Sequence, residues 1–500
     1  MKARAHSRIS IFLALLMLLA TLASCGSSNT QKPSPSTTEG TTEQTETKDL
    51  YDENGYLRDD LPETADLEGR KFNIYLWSEQ KQWDFVDTSV YPTTRLDQAL
   101  YSRELNIEER FNIDINVITE PGNWDYRTAF IQKLANSVNL NDQAYDLVGQ
   151  YTAAVGIGVV QGLYQNLNAV ENINTDKPWW PKHIVSSSTV GGKVYSLTGD
   201  ISATLIRNVQ SMFVNLDLYE SYNIAQYDSE NRSIYDIVRD YDWTLETMKQ
   251  LALGHVGLDD GVGENEKMYG LSIINSVAPD AFLYAGGFKM IEDDDGRIAL
   301  SSDLSSLSFS DWYDSVHSLF DGKTADIYYK DSTGFSVFQG NRAIFYTGNV
   351  SESQTLAQKG VQFSILPMPM RDTAQGDYYT CASLWVTMFS VPVDVADSAM
   401  SGFLMEALAS ESYRTVTAEV YYNIFQARYN SVGNKDSAEM FDIVSDSVVF
   451  DTGRIFADAL KCFALFRTAI NDPDGQWSTV YATNLPALKG YITSLIATIG

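Results

Sequence analysis

The sequence predicts an α/β protein whose body is built as two lobes, with the chain crossing between them more than once. Three observations carry this. From Lys71 to Tyr151 the apolar residues follow strand, helix, strand, helix and strand periods in turn, the pattern of a parallel sheet covered by helices. Strand-like runs return late, between Ala343 and Val391, after a largely helical middle. Five hundred residues with 44% hydrophobic content suffice for two or three domains with proper cores.

Taken in order, the chain opens with a leader, residues 1–24. Lys2, Arg4 and Arg8 precede the apolar run Ile9 to Ala23, and no acid does. That is the charge order of a secretory signal. The run is short of the ~20 residues that span a bilayer. Leu22-Ala23-Ser24-Cys25 resembles a bacterial lipobox, which makes Cys25 the expected lipidation site and the first residue of the mature chain. Two or more acyl chains anchor stably where one does not. The expected location is therefore extracytoplasmic, lipid-anchored to the outer face of the bacterial cytoplasmic membrane. Residues 25–48 are rich in Ser, Thr, Gln, Glu and Pro and lack large apolar side chains, so they read as a disordered linker. As a flexible coil it reaches roughly 26 Å. Residues 49–70 regain scattered apolar positions and read as an arm packed onto the body.

In the body, Phe72, Ile74 and Leu76 alternate with Asn73, Tyr75 and Trp77 as a first strand. Leu96, Leu100, Ile107 and Phe111 stripe a helix, Ile113 to Thr119 is a second strand, and Tyr126, Phe130, Leu134 and Val138 stripe a second helix. Tyr145 to Gly149 is a third strand. Gly191-Gly192 between apolar residues and Asp295-Gly296 between Met290-Ile291 and Ile298-Leu300 are hairpin signals. Ser211 to Asn215 is a further strand, and Thr244 is placed to cap a helix carrying Leu245, Met248 and Leu251. Ala343 to Tyr346, Val361 to Leu366 and Ser383 to Val391 read as strands, and the chain is helical from Val395 onward. The expected partition is residues 71–205 and 342–392 in lobe one, and 206–341 and 393–500 in lobe two.

Composition excludes several functions. A formal net charge of −29, more negative still once the leader's three positive charges are removed, argues against nucleic-acid or anionic-lipid binding. Of four histidines, His6 leaves with the leader, and His183, His255 and His317 make no metal-ligand spacing. No Gly-x-Ser-x-Gly elbow or phosphate loop occurs. The acidic run Glu292 to Asp295 before Gly296 fails as a calcium loop. With Gly296 at position 6, Ile291 falls at position 1 and Ser302 at position 12, so both ends lack a carboxylate. Neither a metal nor another cofactor is expected. With Cys25 lipidated, Cys381 and Cys462 form either one disulfide or two buried thiols. What stands out is aromatic content: nine Trp, 29 Tyr and 22 Phe. Rings beyond the carboxyl ends of parallel strands, where ligands of open α/β sheets bind, can stack on the apolar faces of sugars. A secreted glycoside hydrolase working through paired carboxylates is the competing reading, although no spacing singles out a pair.

The chain resembles the extracellular solute-binding lipoproteins of bacterial ABC importers, in the family-1, sugar-binding group. The residues that carry the resemblance begin with the lipobox Leu22 to Cys25 and the opening strand Phe72 to Trp77. Arg103-Glu104 through Glu109-Arg110-Phe111-Asn112-Ile113 is similar to the family's helix-to-strand step, and Tyr145-Asp146-Leu147-Val148 to its third strand. Lys177-Pro178-Trp179-Trp180, and Gly191-Gly192-Lys193-Val194-Tyr195 with Gly199-Asp200, are the most distinctive pieces. Phe213-Val214-Asn215, with Leu216 where the family has lysine, Asp242-Trp243-Thr244 and Phe338-Gln339-Gly340-Asn341-Arg342-Ala343 complete the order. The resemblance implies a two-lobed, periplasmic-binding-protein-like type II fold with interlobe crossing strands. It implies a monomer without catalytic turnover that holds a solute in the cleft and delivers it to an ABC transporter permease. The expected ligand is a carbohydrate, with a peptide as an alternative, and a neutral one because no arginine cluster is visible in the sequence. The expected ligand-binding residues lie where strands or crossings end: Trp77, Ser78 and Glu79 after the first strand, Gln150 and Tyr151 after the third, Asp200 before the first crossing, Gly348 and Asn349 after a strand taken to return to lobe one, and Trp385 as a further platform.

Overall fold

Two sheets organise the chain from Tyr51 onward in the structure, a computed structural model that describes residues 50–255, 266–294, 297–421, 425 and 435–499. The leader, Cys25 and the linker lie outside the described residues. The first sheet has the order Thr387–Ser390, Leu147–Tyr151, Arg70–Trp77, Ile113–Glu120. The last three run parallel, as the alternating periods require, and Thr387–Ser390 adds an antiparallel edge, with Thr387 opposite Tyr151. Helix Arg95–Phe111 crosses between the first two strands. Its start is set by Thr94, whose hydroxyl accepts the Asp97 N–H while the Asp97 carboxylate accepts the Thr94 N–H. Asn112, at φ 47°, ends it in the left-handed region that Asn tolerates.

The second sheet is mixed, in the order Tyr328–Lys330, Tyr269–Ile273, Ala343–Asn349, Gln210–Asn215, Phe363–Leu366. Here the expected partition needs correction. Ala343–Asn349 does not return to the first sheet. It is the middle strand of the second, parallel to Tyr269–Ile273 and antiparallel to Gln210–Asn215. A strand buried on both faces has the same apolar run in either sheet, so its own residues do not say which sheet it joins. The return crossing comes later, where Val209 pairs with Ala382 and the chain runs on to Thr387. The expected strand Ser383 to Val391 shortens to Thr387–Ser390, which leaves Trp385 in the crossing and not within a strand. Residues 393–500 do not gather on the second sheet either. Helix Ser398–Arg414 lies against Arg95–Phe111, with the Phe111 and Phe403 rings 4.6 Å apart and Asn106 donating to Glu411 at 2.8 Å. The short C-terminal helices bridge: Ala457–Leu460 packs on Val155–Val160, and Leu465–Asn471 on Ala278–Ala285.

The distinctive motifs turn out to be packing devices. Trp179 and Trp180 are buried, and both indoles donate to the Glu406 carboxylate, at 3.1 and 2.9 Å. Burial raises that carboxyl to about 7 against those bonds. Gly199 is required where it stands, since a Cβ there would lie 2.2 Å from the Trp179 carbonyl oxygen. Gly191 and Gly192 turn the hairpin Thr189–Val190 to Lys193–Val194, both at positive φ. Of the arm, Asp59 is the pin. Its carboxylate takes both Arg110 terminal nitrogens, at 2.8 and 2.9 Å, and Arg414 at 3.2 Å. Burial pushes the Asp59 carboxyl up, but the two guanidiniums outweigh it and hold it well below the usual range. Cys381 and Cys462 are separate buried thiols.

Candidate functional site

A cavity of about 240 Å³ opens between the two sheets, lined by groups from both. From the first sheet's side come Tyr151, at the carboxyl end of its strand, Trp124, in the loop after Ile113–Glu120, and Trp385, in the return crossing. Trp124 and Trp385 are 40% and 39% exposed, which is rare for tryptophan in a core and suits a platform. From the other side come Gln210, at the start of its strand, Asp280, in helix Ala278–Ala285, and Arg454 and Arg467 from the C-terminal helices. Phe463 closes one end, its ring 5.5 Å from Trp124.

The polar groups of this cavity are unusual. The Gln210 side-chain oxygen is buried with no hydrogen-bond partner, and so is Arg454 Nε. A buried polar atom left unpaired costs about 1–3 kcal/mol, so two on residues lining one cavity set it apart from an ordinary packed interior. The Asp280 carboxylate is taken by two arginines: Arg454 Nη1 at 2.7 Å on one oxygen, with Arg467 Nη2 on the same one, and Arg467 Nε at 3.0 Å on the other. The expectation that no arginine cluster exists is overturned, because the fold assembles one from positions 174 and 187 residues apart from Asp280. Nearby, Arg127 lies 3.9 Å over the Trp124 ring and is paired with Asp458 at 2.6 Å. Burial raises the Tyr151 hydroxyl to about 12, against the pull of Arg454, Arg127 and Arg467.

Of the residues expected to bind ligand, the fold brings Tyr151 and Trp385 to the cavity, with ring centroids 6.0 Å apart. Trp77 lies behind them. It is fully buried, 5.2 Å from Tyr151 and 5.8 Å from Trp385, and its indole donates to Thr387 Oγ1 at 2.9 Å. Thr387 donates in turn to Asp84 at 2.6 Å, and Asp84 also accepts from Ser202. Burial lifts the Asp84 carboxyl to about 6. Ser78 donates to Glu79 at 3.4 Å, and Glu79 accepts the backbone N–H groups of Gly122 and Asn123 at 3.0 and 3.2 Å. Glu79 thus holds the loop that carries Trp124. Gln150 is fully buried, donating to Ser390 at 3.0 Å and accepting from Tyr164 at 2.6 Å, so it belongs to the core.

Asp200, Gly348 and Asn349 lie elsewhere. Asp200 accepts from Thr417 at 2.8 Å, its carboxyl raised to about 7 by burial. It lines a larger cavity, of about 730 Å³, with His183, Tyr413, Asp442 and Asp446. Gly348 pairs with Ser211 inside the second sheet, and a Cβ there would lie 2.1 Å from Glu352 Oε2. Its small size serves packing and not approach to a ligand. The Asn349 backbone N–H donates to Glu352 at 2.9 Å. The residues missed by sequence reading divide in two. Trp124 follows a strand and obeys the same strand-end rule that pointed to Tyr151. Gln210, Asp280, Arg454 and Arg467 carry no local signal, since only the packing of the C-terminal helices brings them together.

Among the described residues no group of three or more His, Cys, Asp or Glu is placed to hold a metal ion, and no helix is long and apolar enough to cross a membrane.

The fold is similar to that of solved sugar-binding proteins. The GacH receptor of Streptomyces glaucescens, determined unliganded and with acarbose, is 12% identical over 84% of this chain and 99% of its own, with a TM-score of 0.53. A cyclo/maltodextrin-binding protein complexed with maltotetraose is 12% identical over 87% of this chain and 97% of its own, with a TM-score of 0.52. The galacto-N-biose-/lacto-N-biose I-binding protein of an ABC transporter from Bifidobacterium longum, in complex with lacto-N-biose, is 14% identical over 85% of this chain and 99% of its own, at 0.54. At these identities the likeness is one of fold, the two-lobed α/β architecture of periplasmic binding proteins. No protein-family model matches the sequence, and no curated protein does.

Proposed function

We propose that this chain is the extracytoplasmic solute-binding lipoprotein of a bacterial ABC importer, anchored through Cys25, which captures a carbohydrate between its lobes and hands it to the permease as a monomer. The observation that carries the reading is the make-up of the interlobe cavity. Half-exposed tryptophans and Tyr151 line it from one lobe, and the polar side chains of Gln210, Arg454 and Arg467 from the other. A sugar ring offers both complements, an apolar face for the rings and hydroxyls for the polar side chains. The volume is a little below the ~300 Å³ at which drug-sized sites begin, which suits one sugar unit at a time. A ligand that touches both lobes binds the closed arrangement more tightly and shifts the population toward it, which presents a changed surface to a partner. The shared fold with proteins named for maltodextrin and lacto-N-biose supports the same reading.

The glycoside hydrolase reading finds less support. Asp280 is the single carboxylate among the described residues lining this cavity, and both its oxygens are engaged by arginines. A two-carboxylate mechanism has no second acid there. Thermal shift of the purified mature chain against a panel of mono- and oligosaccharides tests the proposal, because a ligand that binds only the native state raises its stability by mass action. Expected is a saturable rise in melting temperature with some sugars and no new reducing ends on prolonged incubation. Sustained product would establish the hydrolase, and no shift with any sugar would overturn the carbohydrate reading.

A further inference from the structure

We infer that the sugar held in this cavity carries a carboxylate, as a uronic acid does, and that Arg467 receives it. This rests on the carbohydrate reading above and adds the chemical class. The first argument is charge. In a chain of formal net charge −29, the wall of the cavity and its immediate support carry Arg454, Arg467, Arg127 and Lys461 against Asp280 and Asp458. Each of the two carboxylates is thus shared by more than one cation. Asp451, the acid nearest Arg454 in the chain, gives its oxygens to the backbone N–H groups of Met290 and Gly453 and is not in the cavity lining. A ligand carboxylate adds negative charge where cations outnumber acids.

The second argument is geometry. Asp280 engages Arg467 through Nε and Nη2 and Arg454 through Nη1, which leaves the Arg467 Nη1 donors outside that contact. Arg454 Nε is buried and unpaired on a residue lining the same cavity. Asp280 thus acts as a positioning residue, holding two guanidiniums side by side. Paired donors of fixed plane are what a planar carboxylate accepts best. Arg467 is the reachable partner, with 24% of its side chain exposed against 3% for Arg454. The rings of Tyr151, Trp124 and Trp385 stand across the cavity to take the face of the same sugar.

The test compares D-galacturonate, D-glucuronate and short oligogalacturonates with their methyl esters and with galactose and glucose. Calorimetry on the mature chain reads wild type, Arg467→Gln and Arg467→Lys. Expected is binding of an acid that its methyl ester weakens about tenfold or more, the scale of one charge-assisted hydrogen bond. Arg467→Gln should cost a similar factor, and Arg467→Lys should restore part of it. The methyl esters carry the test even where a substitution disturbs the fold. Neutral sugars bound as tightly as the acids, with no change in Arg467→Gln, overturn the inference and leave the carbohydrate reading standing. Binding of simple dicarboxylates such as succinate, without any sugar, overturns the carbohydrate reading and the uronic acid with it. No binding of any of these probes overturns both.

Discussion

At the scale of single residues, burial separates platform from support. Trp385 is half-exposed at the cavity, so Trp385→Ala should leave the fold intact and weaken sugar binding by about 1–3 kcal/mol, measured by calorimetry with whichever sugar stabilises the chain. Trp77 has the same chemistry but no exposure, and its indole is bonded to Thr387. Trp77→Ala should instead lower stability in urea by about 3–5 kcal/mol, the range for emptying a core of a large ring. Equal effects of the two substitutions on stability would show that this division of roles is wrong. Glu352 makes a second contrast. Burial lifts its carboxyl to about 7, although Tyr346 and the Asn349 N–H bond to it. In the unfolded chain the group titrates near the ordinary glutamate value of 4.5. Between those two values the folded state holds the proton that the unfolded state has lost, so this group's contribution to stability is full below about 4.5 and is lost as pH rises through about 7. Glu352→Gln keeps an acceptor and removes the titration. The mutant should gain on wild type by about 2 kcal/mol between pH 5 and pH 8, read from urea midpoints at both pH values. A constant difference would mean that Glu352 does not titrate in that window.

At the scale of elements, the loop that carries Trp124 depends on one carboxylate. Glu79, in the turn after the first strand, takes the Gly122 and Asn123 N–H groups. Gly122 itself sits where a Cβ would lie 2.6 Å from Trp77 Cβ, so loop and strand end are packed as one piece. Glu79→Ala removes bonds to a charged acceptor, each of about 1.5–3 kcal/mol, at a half-buried site. Hydrogen exchange of residues 121–125 should accelerate, and sugar binding should weaken as in Trp124→Ala. In the double substitution the losses should not add, since both act through the same ring. Fully additive losses would mean that Glu79 acts on ligand by another route.

At the scale of the whole molecule, the C-terminal helices tie the lobes together. They supply Arg454 and Arg467 to the cavity, and the turn between them supplies Phe463, while they rest on Val155–Val160 and on Ala278–Ala285. The proposed anchor acts at the same scale. Cys25→Ser should move the protein from the membrane fraction to the medium, followed by fractionation of cells expressing each form. A protein that remains membrane-bound would remove the lipid anchor from the proposal.

The sequence by itself determined the class of the fold, because alternation at two and at 3.6 residues is a local property of the chain. Phe72 to Trp77, the Leu96 to Phe111 stripe and the Thr244 cap were legible for that reason, and so was Tyr151 at the end of its strand. Trp124 was equally legible by the same rule. Only the tertiary structure decided which sheet Ala343–Asn349 joins, since a strand buried on both faces carries the same apolar run wherever it pairs. Only it decided that Gly348 makes room for Glu352 and that Gln150 serves the core. Above all, it decided the charge of the cavity. Asp280, Arg454 and Arg467 stand far apart in a strongly acidic chain, and their meeting is set by how the last helices pack, a long-range outcome that no local pattern encodes.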